Sequence, residues 1–101
     1  MKIDFSVPLK ALSGEDIKDG KGDAFTLRDA AVVALDALSD DDRKLDGKEK
    51  YRRGALASRI YGCKEPVMLD VDDAKLVKDL IGKIYGPRIV KEAWDLLEGK
   101  E

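Results

Sequence analysis

Apolar and polar residues alternate along the first ten positions of the chain. The apolar members are Ile3, Phe5, Val7 and Leu9, and the residues between them are charged, small and polar, or proline. A period of two is typical of a strand with one face on a core. Pro8 has no N–H to donate, which predicts that this strand lies at a sheet edge or ends there.

Two turn signals follow this strand, Ser13-Gly14 and the cluster 19–23. A short extended stretch begins at Ile17 between them, and Ala24-Phe25 is a third short extended segment. We therefore expect residues 2–26 to form a β-hairpin or a small three-stranded meander. Because a lone hairpin is marginal in water, it must pack on helices.

The next pattern has helical period and its own start signal. Thr26 and Asp29 have the spacing of a capping box, a hydroxyl N-cap with a carboxylate at N3. The helix predicted over 27–38 is apolar almost all round. Such a helix is either central to its domain or part of a subunit interface, including a homodimer seam.

An acidic connection over 39–42 precedes a helix predicted over 48–61, which ends at Gly62. Its apolar arc contains Arg53, which must extend to solvent or pair with a carboxylate. Pro66 forbids helix just before it, and 67–69 is expected to be a short extended linker.

The last third of the chain predicts two further helices, over 71–85 and 87–98. Asp70 is placed to cap the first, Gly86 to end it and Pro87 to begin the second. Trp94 lies on the apolar arc of the last helix, where core packing is the expected role.

These elements predict one compact domain over residues 1–101, with a β-hairpin region over 2–26 and a helical region over 27–98. The expected fold class is α+β and mainly helical, with a hairpin or small meander packed on about four short helices.

The amino-acid composition excludes several kinds of functional site. The 101 residues include no His and one Cys, and 40% are charged with a formal net charge of -2. Imidazole catalysis, His-ligated metals, an intramolecular disulfide and a thiolate zinc cluster are therefore excluded. Cys63 is expected to be a reduced, structural thiol.

Motif searches predict no catalytic residues, cofactor or metal. None of the Gly-Lys pairs is followed by Ser or Thr, so the phosphate-binding P-loop is missing. Taking Gly47 as the sixth position of a calcium loop places Lys44 at the third and Arg53 at the twelfth, where carboxylates are needed. We expect a protein that is not an enzyme.

The strongest local charge lies between Arg43 and Lys64. At about 100° per residue, Lys48, Arg52 and Arg59 fall within one narrow arc of the predicted helix 48–61. Such an arc fits a phosphate backbone or an acidic protein surface, whereas a solvated face balanced by 40–42 is the alternative. The candidate interaction surface consists of Lys48, Lys50, Arg52 and Arg59, flanked by Tyr51 and Tyr61.

The order of these features resembles a known group. An N-terminal strand, the run LKALSGEDIKDGKG, the helix start at Thr26, Leu27 and Asp29, and the tail DDAKLVKDLIGKIYGPRIVKEAWDLLEG resemble small accessory proteins encoded by phages and prophages. The likeness spans most of the chain and carries over no functional residue. It implies a protein that acts by binding.

We therefore expect a non-enzymatic accessory protein that binds a host or phage protein and modulates a host factor or host defence. One alternative is nucleic-acid binding through helix 48–61, and another is a component or chaperone of virion assembly. A homodimer is possible. With no leader-like or membrane-spanning apolar run, the expected location is the cytoplasm of the host bacterium.

Overall fold

The computed structural model describes residues 2–37 and 45–99. It contains a two-stranded antiparallel sheet and four helices, which confirms the mainly helical α+β class. The elements are β1 (Lys2–Ile3), α1 (Leu27–Asp36), α2 (Gly47–Gly62), β2 (Val67–Met68), α3 (Val71–Ile84) and α4 (Pro87–Leu97). The expected acidic connection and the basic residues Arg43 and Lys44 lie outside the described residues.

The partner of the first strand differs from the expectation. β1 pairs with β2, in the register Lys2 to Met68 and Ile3 to Val67, so part of the expected linker 67–69 is a strand. The strand ends after Ile3, where Asp4 accepts hydrogen bonds from the backbone N–H and the hydroxyl of Ser6, although Phe5 and Leu9 remain buried as the alternation predicts. These bonds lower the pKa of Asp4. The local turn leaves β1 only two residues long.

Residues 7–27 form a closed arrangement of three short segments. The N–H of Leu9 donates to the carbonyl of Phe25, that of Phe25 to Ile17, and that of Ile17 back to Leu9, at 2.9, 2.7 and 2.9 Å. The three residues are eight positions apart. Single bridges between neighbouring segments replace the continuous ladder of an ordinary meander.

The two turns of this region repeat the same geometry. Gly14 and Gly22 both have φ of +88°, and each donates to the carbonyl three residues before it. A side chain with a Cβ rarely adopts that conformation, so glycine is needed at both positions. The turn glycines therefore repeat at an interval of eight residues in the sequence. The alternation of the first ten residues makes this longer interval hard to recognise.

The N-terminal segments also complete the start of α1. Helices leave their first N–H groups without intrahelical partners. Here Leu27 donates to the carbonyl of Val7 and Arg28 to that of Phe5, at 3.0 and 2.8 Å. Thr26 and Asp29 form both halves of the predicted capping box.

The core is organised around α1, so of the two roles expected for this helix the structure supports the central one. It packs against α2, α3 and α4, and its small Ala30, Ala31 and Ala34 are fully buried. Small side chains let neighbouring helices approach a central helix closely. The largest fully buried side chains come from every region: Leu9, Leu27, Ile60, Leu69, Val77, Ile81 and Leu97.

The corner between α3 and α4 forms where the capping residues in the sequence predict it. Asp70 caps α3 by accepting from Asp73 at 2.7 Å, and Pro87 is the first residue of α4. Tyr85 packs its ring edge-on to Phe25, with centroids 6.0 Å apart. That contact joins the corner to the N-terminal segments.

Trp94 packs differently from the expectation. It is half-buried and lies against the outside of α3 instead of within the core cluster. Its indole N–H donates to the carbonyl of Lys78 at 3.0 Å, and the Lys78 ammonium lies 4.9 Å from the ring centroid. Trp94 therefore fastens α4 to α3 through one side of the ring.

Candidate interaction surface

Helix α2 carries all four residues of the candidate interaction surface. Asp46 caps the helix by accepting from the N–H of Glu49 at 2.8 Å. The inner side of α2 buries Leu56, Ala57 and Ile60. Arg53 is also buried, and its Nε lies 3.7 Å from a Glu49 carboxylate oxygen, which confirms the expected pairing with a carboxylate.

Arg52 is engaged within the chain. Its Nη2 donates to Asp73 at the start of α3 at 2.9 Å, and its Nη1 lies 3.5 Å from Glu49. The hydrogen bond to Asp73 is the main reason why the pKa of the guanidinium is raised. Arg52 thus ties α2 to α3.

Arg59 is engaged as well, since its Nη2 donates to the carbonyl of Met68 in β2. Lys48 is exposed and lies on the same helical arc as the two arginines. Lys50 points to the opposite edge of α2. There it lines a depression of about 160 Å³ with Leu35, Asp36, Arg53 and Gly54.

The structure therefore divides the four predicted residues between two edges of α2. Lys48, Arg52 and Arg59 lie along the edge next to α3 and β2, and Lys50 lies along the edge next to α1. Between the two edges, the outward arc of α2 carries no charge. Its residues are Gly47, Tyr51, Gly54, Ala55, Ser58 and Gly62, with Tyr61 at the α1 edge.

We call Tyr51, Ala55, Ser58 and Tyr61 the tyrosine face. Tyr51 is 79% exposed and Tyr61 is 71% exposed, and the two small residues between them are exposed too. The outward side of a surface helix is ordinarily polar or charged. An uncharged outward arc with two exposed rings departs from that rule.

The tyrosine face continues onto α1. Tyr61, Ser58 and Ala57 share a depression of about 310 Å³ with Val32 and Asp36 of α1. Val33 of α1 is exposed as well. The surface around Tyr61 therefore extends onto α1, where Asp36 adds a carboxylate at its border.

Two mid-helix glycines have opposite surroundings. A Cβ built on Gly82 in α3 would lie 3.2 Å from Cζ2 of Trp94, so glycine makes room for the ring. A Cβ built on Gly54 in α2 would have no described atom within 4 Å. Glycine inside a helix costs roughly 0.5–1 kcal/mol relative to alanine, and at Gly54 no described contact explains it.

Sequence reasoning identified the charged edges of α2 and the two tyrosines, but not the face between them. Ala55, Ser58 and Gly54 were not singled out, because small uncharged residues carry no motif. The available signal was the helical projection, in which charges are missing from the arc opposite Leu56 and Ile60. That signal becomes meaningful only once the buried side of α2 is known.

Cys63, directly after α2, has a structural environment. Its thiol donates to the carbonyl of Glu65 at 2.7 Å, and its own carbonyl accepts from Nη2 of Arg28 at 2.7 Å. Both bonds hold the connection between α2 and β2. This agrees with the structural role expected of the thiol.

The remaining clefts offer little chemistry. Within residues 2–37 and 45–99, three or more Asp, Glu or Cys side chains do not converge as metal ligands would. A cleft of about 530 Å³ lies between residues 7–10 and α4. On its rim, Lys91 pairs with Asp95 at 2.7 Å, and this bond is the main reason why the pKa of Lys91 is raised.

The described helices are all too short or too polar to cross a bilayer. Comparison of the chain with known protein families, with curated proteins and with solved structures gives no match. The functional interpretation therefore depends on the geometry of α2 and its surroundings.

Proposed function

We propose that this chain is a non-enzymatic binding module that engages a protein partner through the tyrosine face. The carrying observation is the uncharged outward arc of α2, on which Tyr51 and Tyr61 are 79% and 71% exposed. Tyrosine supplies a large amphipathic contact area with few rotatable bonds, and small neighbours allow a partner to approach closely. Interfaces are enriched in such aromatic residues and depleted of charge at their centre.

The open position at Gly54 supports the same proposal. Glycine inside a helix lowers the stability of the free chain, and a Cβ at Gly54 would have no described atom within 4 Å. A partner backbone that approaches α2 closely would give the missing side chain a purpose. Lys48 and Lys50, on the two edges, would then form a polar rim around the contact.

A nucleic-acid partner fits the same helix less well. Arg52 and Arg59 already bond within the chain, to Asp73 and to the Met68 carbonyl. Asp70, Asp72 and Asp79 line the same depression as Arg52 and would repel phosphate. These contacts favour a protein surface over a phosphate backbone.

In cellular terms, we propose a phage-type accessory protein that acts in the host cytoplasm on a host factor or defence protein. A role in virion assembly is the alternative, with a morphogenetic protein as the partner. Both versions use the tyrosine face, and the identity of the captured protein separates them.

Replacing Ala55 by Glu tests the proposal. The Ala55 side chain is exposed, so A55E should fold normally while placing a charge at the centre of the tyrosine face. We expect A55E and Tyr51→Ala to weaken capture of a partner from nuclease-treated host lysate by about tenfold or more. Lys18→Glu, exposed and outside both α2 and α3, is the matched control and should bind like the unmodified chain.

Two results would contradict the proposal. One is a lysate in which no captured protein depends on Ala55 and Tyr51. The other is capture that disappears with nuclease or high salt and responds only to Lys48, which would assign the helix to nucleic acid.

A further inference from the structure

A second surface, beside the tyrosine face, carries opposite charges side by side. Lys48, Arg52 and Arg59 form its basic half on α2, and Asp70, Asp72 and Asp79 form its acidic half at and within α3. The two halves join where Arg52 meets Asp73 at 2.9 Å. We call this surface the bipolar strip.

The strip also contains nearby charges of the other sign. Glu49 lies 3.5 Å from Arg52 in the basic half, and Lys75 lines the depression of the acidic half. Lys83 shares a further depression with Asp79. Each half keeps its sign, because the basic half has three cations against Glu49 and the acidic half has three carboxylates against Lys75 and Lys83. The Arg52–Asp73 pair marks the border between them.

Two exposed apolar side chains lie beside the charged halves. Met68, whose carbonyl accepts from Arg59, is 58% exposed, and Val71, between Asp70 and Asp72, is 76% exposed. Exposed apolar residues scattered singly are ordinary, but these two are three positions apart on adjoining elements. Met68 thus adjoins Arg59 of the basic half and Val71 adjoins the carboxylates of the acidic half, so both halves have exposed apolar surface next to them.

This distribution limits what can cover the strip. A uniformly acidic partner would be repelled by Asp72 and Asp79, and a uniformly basic one by Lys48 and Arg59. A fitting partner carries the opposite sequence of charges. A second copy of this chain does so when it is rotated by 180° about an axis through the border, since each half then faces its opposite.

We propose that the bipolar strip is the contact surface of a twofold homodimer. Met68 and Val71 of both copies pack near the axis, and the basic half of each copy faces the acidic half of the other. This proposal uses different residues from the tyrosine face, apart from Lys48, which lies at the edge between the two surfaces. That face lies on a different arc of α2 and remains open to another protein.

Charge reversal in each half tests the dimer directly. Lys48→Glu reverses a basic-half residue that makes no described contact within the chain, and Asp79→Lys reverses an exposed residue away from the first turn of α3. Sedimentation velocity of the full chain over a range of concentrations measures the dimer dissociation constant. We expect each variant alone to weaken the dimer by about tenfold or more, since every reversal occurs twice in a twofold contact.

Mixing the two variants is the decisive measurement. In a dimer of one variant with itself, each reversed charge faces a like charge. In a mixed dimer of the Lys48→Glu chain with the Asp79→Lys chain, the two reversed charges face each other and are opposite. We therefore expect the mixture to regain a heterodimer, with affinity that falls as salt rises. Lys18→Glu and Asp23→Lys, in the second turn region, are the matched controls and should dimerise like the unmodified chain.

Several outcomes would overturn the proposal. The chain could remain monomeric at every concentration. A dimer that tolerates either reversal would use another surface, such as Val33 on α1, and a mixture that stays monomeric would show that the two halves do not face each other. Circular dichroism of each variant shows that it is folded before its association is interpreted.

Discussion

Helices α2 and α3 use their outward sides in different ways. α3 exposes Asp72, Lys75, Asp79 and Lys83, the charged surface expected of a helix whose packing is complete. α2 exposes an uncharged arc and keeps its charges at the edges. Their glycines differ as well, since a Cβ built on Gly82 would lie 3.2 Å from the Trp94 ring, whereas one built on Gly54 would have no described atom within 4 Å.

The two helices therefore differ in how much of their surface is used by contacts within the chain. Contacts within the chain stabilise the α3–α4 corner. They are the Asp70 cap, the packing and hydrogen bond of Trp94, and the 2.8 Å ion pair between Lys78 and Glu98. α2 is fastened only along its inner side and its edges. Contacts within the chain therefore account for the α3–α4 corner, whereas they leave the outward arc of α2, for which we propose a protein partner, uncovered.

The largest expected effect is at Trp94. Trp94→Ala removes the ring that packs beside Gly82 and the bond to the Lys78 carbonyl, and should lower the free energy of unfolding by about 2–3 kcal/mol. The value lies below that of a fully buried tryptophan because one side of the ring is exposed. Urea unfolding measures it.

Tyr51→Ala is the matched test on α2, and should change the free energy of unfolding by less than about 0.5 kcal/mol. Equal losses for the two aromatic residues would remove the distinction between the helices. A loss confined to Trp94 would strengthen it.

A smaller effect is expected from alanine at the two glycines. Gly54→Ala places its Cβ in open space and should stabilise the chain by about 0.5–1 kcal/mol, through higher helix propensity and a less flexible unfolded chain. Gly82→Ala brings its Cβ to 3.2 Å from Trp94, so displacement of the ring should cancel that gain. Thermal unfolding of both variants compares them, and an equal gain at both positions would contradict the packing argument.

The smallest effect is a pH dependence at Tyr85, where α3 ends. Burial, with a contribution from Asp29, raises the pKa of Tyr85 above its ordinary value of 10.0. A group whose pKa is raised on folding contributes stability that is present below its unfolded pKa and is lost as the pH rises through the folded one. Tyr85→Phe keeps the ring contact with Phe25 and removes this titration.

The measurement is the urea midpoint of both proteins from neutral pH to above pH 10.0. The unmodified chain should lose stability relative to Tyr85→Phe only at the alkaline end of this range. Parallel curves throughout would mean that the Tyr85 hydroxyl is equally hydrated in the folded and unfolded chains.

Local signals in the sequence predicted the helices closely. The four helices lie within two residues of their expected bounds, because their caps act through neighbouring atoms: Thr26 with Asp29, Asp70 with Asp73, and Pro87 after Gly86. The strands were harder to predict. β1 pairs across more than sixty positions with β2, and a two-residue strand has no pattern that identifies its partner.

The candidate surface was predicted in part for the same reason. Lys48, Arg52 and Arg59 share an arc by helical geometry alone, whereas the partners of Arg52 and Arg59 come from α3 and β2. No local sequence pattern indicates that Asp73 lies next to Arg52 or that the Met68 carbonyl lies next to Arg59. Because Arg52 and Arg59 already bond within the chain, the proposed function depends on the uncharged face beside the basic arc.

By itself, the sequence determined where helices begin and end, which side of each is apolar, and which chemistries are excluded, because these depend on residue types and short spacings. Tertiary structure alone decided that β1 joins β2, that Trp94 packs against α3 beside Gly82, and that α2 turns an uncharged side outward. Those outcomes depend on which distant surfaces meet. That is settled by burial and shape across the whole chain, since each helix offers several faces and only packing selects among them.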